Sequence, residues 1–233
     1  MSKNILIFGA TRGTGYETAK ILCERGDRVT ALVREGSDAS GLDAMGVTIV
    51  RGNAIEAEDV RRALESGPFT AAINTMGGKR GETPRPDVEG MKNILAAAKP
   101  AGVTRHLLVT AIGSGDSHSA VSPNVHKFLG EVLKQKTEIE NLLQQSGLDF
   151  TILRPGGMTT DPATGTAIKT EDHQVMGMIN RADLAALVVE CLDDDATIGR
   201  IYHTIDPEIT EKPPLERGES LGTDKYAGRD RGS

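Results

Sequence analysis

No apolar run in the 233 residues approaches the roughly 18 to 20 needed to cross a bilayer, so no transmembrane helix is expected. The first apolar run, residues 5–8, is too short for the core of a signal peptide and passes straight into glycines. Cysteine is scarce. Cys23 and Cys191 offer neither a Cys-x-x-Cys spacing nor a disulfide framework, and a reducing, cytoplasmic setting is expected. Positive charge is in deficit, 27 Lys and Arg against 33 Asp and Glu for a formal net charge of −6. That balance speaks against nucleic acid as a main partner. No internal repeat stands out, no Gly-x-Ser-x-Gly elbow suggests a hydrolase, and the 5 histidines have no metal-ligand spacing with Cys or carboxylates.

What is present is alternation. Short runs of nearly continuous apolar character (ILIF, VTALV, VTIV, HLLVT, FTIL) predict strands at 4–8, 28–33, 47–50, 71–74, 106–110 and 150–153, with a late one at 201–204. Helical patterns lie between them at 14–25, 57–65, 88–99, 125–145 and 181–192. Asn180 suits the N-cap of the last, and Asp183 its first turn. Strands alternating with helices indicate an α/β fold, a doubly wound parallel sheet with helices on both faces. We expect one domain over residues 1–207. Substrate-side loops are expected at 112–123 and 156–180, the latter a small C-terminal substrate-side segment. From about 208 the mixture of charge, Pro and Gly has little to bury and predicts a flexible tail to 233, with a strap across a partner subunit as the alternative. The glycine- and proline-rich loop at 76–86 is expected to be mobile.

The strongest chemical signal is the run Gly9-Ala10-Thr11-Arg12-Gly13-Thr14-Gly15, directly after the first strand and at the start of the first helix. Glycines there allow a tight turn and let backbone N–H groups reach a diphosphate, while the helix N-terminus adds the positive end of its dipole. This is a dinucleotide site. The second strand ends in Arg34, where an enzyme for the unphosphorylated cofactor usually carries a carboxylate. Arg12 and Arg34 together suit the 2′-phosphate of NADP(H). Asn53 and Ala54 follow the third strand and are placed to meet the adenine. Asn74, Thr75, Met76 and Gly77 follow the fourth and are placed to flank ribose and diphosphate.

GATRGTG, NILAAAKPAGVTRHLLVTAIGSG and KTEIENLLQQSGLDFTILRPGGM resemble the atypical short-chain dehydrogenase/reductases. The likeness is greatest to their NAD(P)H-binding group, which includes the biliverdin reductase B/flavin reductase-like and NmrA-like proteins, and it covers roughly residues 3 to 206. It implies a Rossmann-like fold. It also implies that Thr110, Ala111 and the backbone of Pro155, Gly156, Gly157 and Met158 line the nicotinamide pocket. Ser114 matches the substrate-side serine of the flavin reductase-like proteins. Lys136 matches the lysine that holds the nicotinamide ribose in the Tyr-x-x-x-Lys pair of better-known relatives.

One departure carries weight. Val132 stands where that tyrosine would be, and the 3 tyrosines, Tyr16, Tyr202 and Tyr226, lie outside the long helix. Hydride transfer to an isolated carbonyl builds an alkoxide that needs a proton donor. A conjugated acceptor such as a flavin or quinone spreads the incoming charge itself and needs orientation more than acid catalysis. The reading is therefore an NADP(H)-dependent oxidoreductase acting on a small conjugated acceptor, with Ser114 and Lys136 as candidate catalytic residues. The alternative is an NADP-binding redox sensor of NmrA-like type without turnover. A nucleotide-sugar epimerase is disfavoured, since those enzymes also use the tyrosine. Among the histidines, His173 is the best candidate for a cleft role. His118 and His126 are expected to face solvent, and His106 and His203 to be structural. The expected partner is a small-molecule substrate, with no membrane and no nucleic acid, and a monomer and a homodimer both stay open.

Overall fold

The computed structural model describes residues 2–78 and 81–217. Eight strands form one sheet in the order β3-β2-β1-β4-β5-β6-β10-β8. They are β1 (Asn4–Phe8), β2 (Arg28–Val33), β3 (Thr48–Arg51), β4 (Ala71–Asn74), β5 (Arg105–Val109), β6 (Asp149–Pro155), β8 (Ile168–Thr170) and β10 (Arg200–Ile205). All pair in parallel except β8, which runs antiparallel to β10. A second, two-stranded parallel sheet joins β7 (Gly157–Thr159) to β9 (Met178–Asn180).

Helices cover both faces. α1 (Gly13–Glu24) packs on α6 (Arg181–Asp193) on one side, and α3 (Ala57–Glu65), α4 (Pro86–Ala98) and α5 (Pro123–Gln145) lie side by side on the other. The central strands show why two covering layers are needed. Every residue of β4 and β5 is buried, so an alternating pattern would have put polar groups into a core. Ile5, Ile7 and Ile73 join the apolar cluster on the α1/α6 side, while Leu6, Phe8 and Ala72 join the one on the α3/α4 side. The fold is thus the expected Rossmann-like α/β arrangement. Among the described residues, no helix is long and apolar enough to cross a membrane.

Three features differ from expectation. The short helix α2 (Ser40–Ala44) and the strands β7, β8 and β9 have three to five residues each, too few for periodicity to reveal. Asn180 does begin α6, but its side chain does not cap it. The amide instead donates to the Pro162 carbonyl at 3.0 Å, and its oxygen accepts from the Thr159 hydroxyl. Asp183 accepts the Thr164 and Gly165 N–H groups, each at 2.9 Å, so the two residues hold the 159–166 loop rather than the helix end. The tail expected from 208 begins as packed chain. Leu215 is buried at 4% exposure and Pro213 is buried beside Gly157, whereas 218–233 lie outside the described residues.

Candidate cofactor and active site

The strand order reverses between β1 and β4, so the loops after these strands diverge and open a crevice at their carboxyl ends. The glycine run occupies that crevice. Gly9 has φ +93°, and a methyl group on Gly15 would sit 2.3 Å from the Gly9 carbonyl oxygen. Side chains are excluded there because α1 starts hard against the end of β1. Arg12 is extended at the N-cap of α1, with no side chain capping the helix. The Thr14 hydroxyl is buried without a hydrogen-bond partner among the described residues. A helix N-terminus that no side chain caps, glycines at close approach and an orphaned hydroxyl suit a diphosphate. The residues present fit a dinucleotide.

The other expected residues follow the carboxyl ends of β2, β3 and β4. Thr75 lies against it, its hydroxyl 3.2 Å from the Gly9 carbonyl oxygen. Asn74 is buried and turns the chain, its side-chain oxygen accepting the Met76 N–H at 2.9 Å, so it shapes the loop from beneath. Ala54 is buried under Gly90. The Asn53 N–H is tied to Asp59 at 2.8 Å. Arg12 and Arg34 are both exposed. Arg51, from the neighbouring strand, donates to the carbonyls of Arg34 and Ser37 at 3.3 and 3.0 Å and so props the turn that carries Arg34.

Lys136 comes from the long helix α5 to the end of β4. Its Nζ lies 3.0 Å from Asp87 Oδ2 and donates to the Met76 carbonyl at 3.1 Å. Arg85 grips the same carboxylate with two hydrogen bonds of 3.0 and 2.8 Å. Burial pushes the Asp87 carboxyl up, but the Lys136 and Arg85 cations outweigh it and hold it below the usual range. The loop at 76–86 therefore ends in an anchored ion cluster, while residues 79 and 80 lie outside the described ones.

Ser114 requires correction. It is 0% exposed, and its Oγ lies 2.6 Å from both the Ala111 carbonyl and Glu140 Oε1. The hydroxyl is turned into the protein and does not face a substrate. Glu140 stands one helical turn beyond Lys136. It also accepts from Thr110 Oγ1 at 2.6 Å and is clamped by Arg154 at 3.1 and 2.7 Å. Arg154 reaches on to Asp116, which in turn meets His173 Nδ1 at 2.8 Å. Burial raises the Asp116 carboxyl, yet Arg154 and His173 pull it down to about 2. His173 Nε2 faces the Ile201 carbonyl at 3.0 Å, so both ring nitrogens are committed and the ring works as a clasp.

Gly156 and Gly157 also have protein reasons to be small. A methyl on Gly156 would lie 2.1 Å from the Gly177 carbonyl oxygen, and one on Gly157 would lie 2.4 Å from Met178 Sδ. Pro155 is buried, and Met158 is half-buried with its sulfur 3.3 Å from Arg181 Nη1. The Arg181 side chain continues over Gly13 and links the two halves of the site. Reading the sequence missed Asp87, Glu140, Arg154 and Arg181. Two signals were available: Lys136 and Glu140 stand four apart on one helix, and Arg154 is a charge inside a buried strand, which needs a partner.

Comparison with known proteins agrees with this fold. Residues 9–195 match the NAD(P)H-binding family. The structure is similar to ChuY, an anaerobilin reductase from Escherichia coli O157:H7, at 33% identity and a TM-score of 0.82, covering 89% of this chain and 99% of ChuY. Among curated proteins, an uncharacterized chloroplastic protein of Arabidopsis thaliana is 32% identical over 82% of this chain and 72% of its own length. YhfK of Bacillus subtilis, described as an uncharacterized sugar epimerase, is 29% identical over 85% of this chain and 92% of its own. The chain belongs to the NAD(P)H-binding family of oxidoreductases, on the atypical short-chain dehydrogenase/reductase branch.

Proposed function

We propose that the chain is a reductase that uses NADPH in preference to NADH and acts on a small conjugated acceptor, a flavin, quinone or similar molecule, without a tyrosine acid. The observation that carries the reading is one stripe of α5. Phe128, Val132 and Lys136 recur every four residues and share a side of the helix. Lys136 is fixed by Asp87 and Met76, and the two positions before it are apolar. That side of the helix can hold a ribose and an apolar ring and carries no phenol or imidazole acid, and the Lys136 ammonium is committed to Asp87 and Met76. Bound NADPH would supply the hydride, and the reduced acceptor would take its proton from water.

The remaining residues take positions rather than chemical steps. Gly9, Thr11, Gly13, Thr14 and Gly15 would receive the diphosphate, with Arg181 across from them. Arg12 and Arg34 would meet the 2′-phosphate, and Arg51 keeps Arg34 in place. Asn53 and Ala54 would lie by the adenine, and Thr75, Met76 and Gly77 by the ribose. Thr110, Ala111 and Pro155 to Met158 would border the nicotinamide. Ser114 and Glu140 stiffen the strand ends beneath it. ChuY is an anaerobilin reductase, so a reductase stands among the similar proteins. Against the epimerase description of YhfK stands Val132, since the epimerases of this superfamily rely on the missing tyrosine.

The test is NADPH oxidation by purified protein with menadione, flavin mononucleotide and a simple ketone, beside calorimetric titration with NADPH and NADH. Turnover with the first two and not with the ketone is expected, with tighter binding of NADPH. Tight binding of NADPH with no turnover on any acceptor would favour the sensor alternative instead.

A further inference from the structure

Arg181, the first residue of α6, reaches across to Gly13, the first residue of α1. A methyl group on Gly13 would lie 3.5 Å from Arg181 Cδ and 3.6 Å from its Nη1. The same Nη1 is 3.3 Å from Met158 Sδ. One half-buried side chain thus touches the glycine loop on one side and β7 on the other. The surroundings suit an anion. α1 and α6 pack together, their first residues meet, and no side chain caps either helix. The first turn of α1 carries no acidic residue. The acid in the first turn of α6, Asp183, accepts the N–H groups of Thr164 and Gly165. Next to Gly13 the Thr14 hydroxyl, on a residue 5% exposed, has no hydrogen-bond partner among the described residues. Two helix N-termini, a guanidinium and an unsatisfied hydroxyl converge, and a phosphate oxygen satisfies all of them.

Arg181 also follows β9 directly, and β9 pairs with β7 through Met158 opposite Ile179 and Thr159 opposite Asn180. These strands are the two ends of the 160–177 segment, so that segment is rooted in a sheet of three residues a side. So short a pair has little stability of its own and responds to a single ionic contact at its end. Resting on the dinucleotide part of the reading above, we propose that Arg181 ties the cofactor diphosphate to the β7–β9 sheet, so that the bound cofactor fixes the 160–177 segment. A guanidinium carries five N–H donors in a rigid fork, enough to keep the thioether and take a phosphate oxygen together. The charge-assisted bond to phosphate is the stronger of the two. Diphosphate binding therefore sets the position of Met158 and, through the ladder, of Ile179 and Asn180. The acceptor side is completed only after the dinucleotide is in place.

The experiment pairs calorimetry with hydrogen exchange on the full chain, R181M and R181K. NADP+, NAD+ and 2′-AMP are the titrants. R181M should weaken NADP+ and NAD+ by the same factor, about tenfold, since both carry the diphosphate, and R181K by less. Binding of 2′-AMP, which has no diphosphate, should stay within about twofold of the full chain's. Saturating NADP+ should slow amide exchange at 157–159 and 178–180 in the full chain but not in R181M, while amides 9–15 slow in both. A loss confined to NADP+ would place the guanidinium on the 2′-phosphate and overturn the proposal. Slowing at 157–159 in R181M equal to the full chain's would overturn it too. R181K carries the same comparisons if R181M does not fold. If the full chain binds neither dinucleotide, the cofactor reading fails separately, and inorganic pyrophosphate is titrated instead. Weaker binding of pyrophosphate to the variants then supports Arg181 as the anion's ligand, and equal or absent binding rejects it.

Discussion

Lys136 on α5 and Asp87 on α4 meet 3.0 Å apart at the end of β4, with Asp87 1% exposed and also held by Arg85. One buried carboxylate thus serves two cations, and the two single substitutions are not equivalent. Asp87→Asn leaves two buried positive charges facing each other and should cost about 3–5 kcal/mol of unfolding free energy. Lys136→Met leaves Asp87 on Arg85 and should cost about 1 kcal/mol. The order reverses in function: Lys136→Met removes the proposed ribose contact and should weaken NADPH binding about tenfold. Urea denaturation and calorimetry read the two effects apart. Equal stability loss in both variants would show that Arg85 does not share the carboxylate as described.

Ser114 and Glu140 separate in the same way. Ser114→Ala removes one hydroxyl from a buried carboxylate that keeps Thr110 and Arg154, so a loss of about 1 kcal/mol is expected, with turnover retained. Glu140→Gln takes the buried carboxylate from Arg154, a side chain 2% exposed, and leaves its guanidinium to the exposed Asp116 alone, which should cost about 3 kcal/mol. A large drop in kcat for Ser114→Ala at unchanged melting temperature would return the serine to the chemistry.

Much of this was legible and some was not, for physical reasons. The strand runs are apolar because both sheet faces are covered, so β1 and β4 could be bounded from residue type alone. Gly15 announced itself because only glycine tolerates a carbonyl 2.3 Å from its missing methyl. The ion clusters were hidden. Asp87 and Lys136 are 49 positions apart, and nothing local in a helical Asp tells a buried ion partner from a solvated one. Ser114 misled for a similar reason: its position after β5 was read correctly, but the direction of its hydroxyl is set by Glu140, 26 residues later. Residues 211–217 misled because their composition is polar on average, while Pro213 and Leu215 are buried.

The 2′-phosphate reading predicts cofactor exchange. Arg34→Ala should raise the Kd for NADPH by roughly 10- to 100-fold, the worth of one charge-assisted contact, and leave that for NADH near its starting value. Arg51→Ala should do the same more weakly, because Arg51 holds the Arg34 and Ser37 carbonyls rather than the ligand. The wild-type preference should also fade with added salt, as exposed charge pairs are screened. Equal losses for NADPH and NADH in Arg34→Ala would place the arginine elsewhere.

The clasp between Asp116, Arg154 and His173 predicts an acid limb. The Asp116 carboxyl is lowered to about 2, and an ordinary aspartate titrates near 3.9. A carboxylate lowered on folding contributes stability that is complete above the ordinary value and is lost as pH falls toward the folded one. The stability difference between wild type and Asp116→Asn should therefore be constant above about pH 5 and close between about pH 4 and pH 2. Denaturant titrations across that window measure it. A difference that persists at pH 2 would mean the carboxylate is not what holds the 115–120 turn.

Val132→Tyr tests the absent acid directly. Position 132 is half-buried and one turn before Lys136, so a phenol there would share the stripe with the lysine. A neighbouring cation favours the phenolate, which lowers the cost of giving up the proton. The substitution should raise kcat for a simple ketone, where general acid catalysis is worth about 10²- to 10⁴-fold. It should do little or harm with menadione, which gains no benefit from the acid and loses space beside Phe128. The contrast between the two acceptors is what matters, since a general gain in activity would reflect better folding. A ketone rate that stays at background while NADPH binding is intact would show that this side of α5 does not face the reacting carbon, and the acceptor site would have to be sought on the other side of the nicotinamide loop.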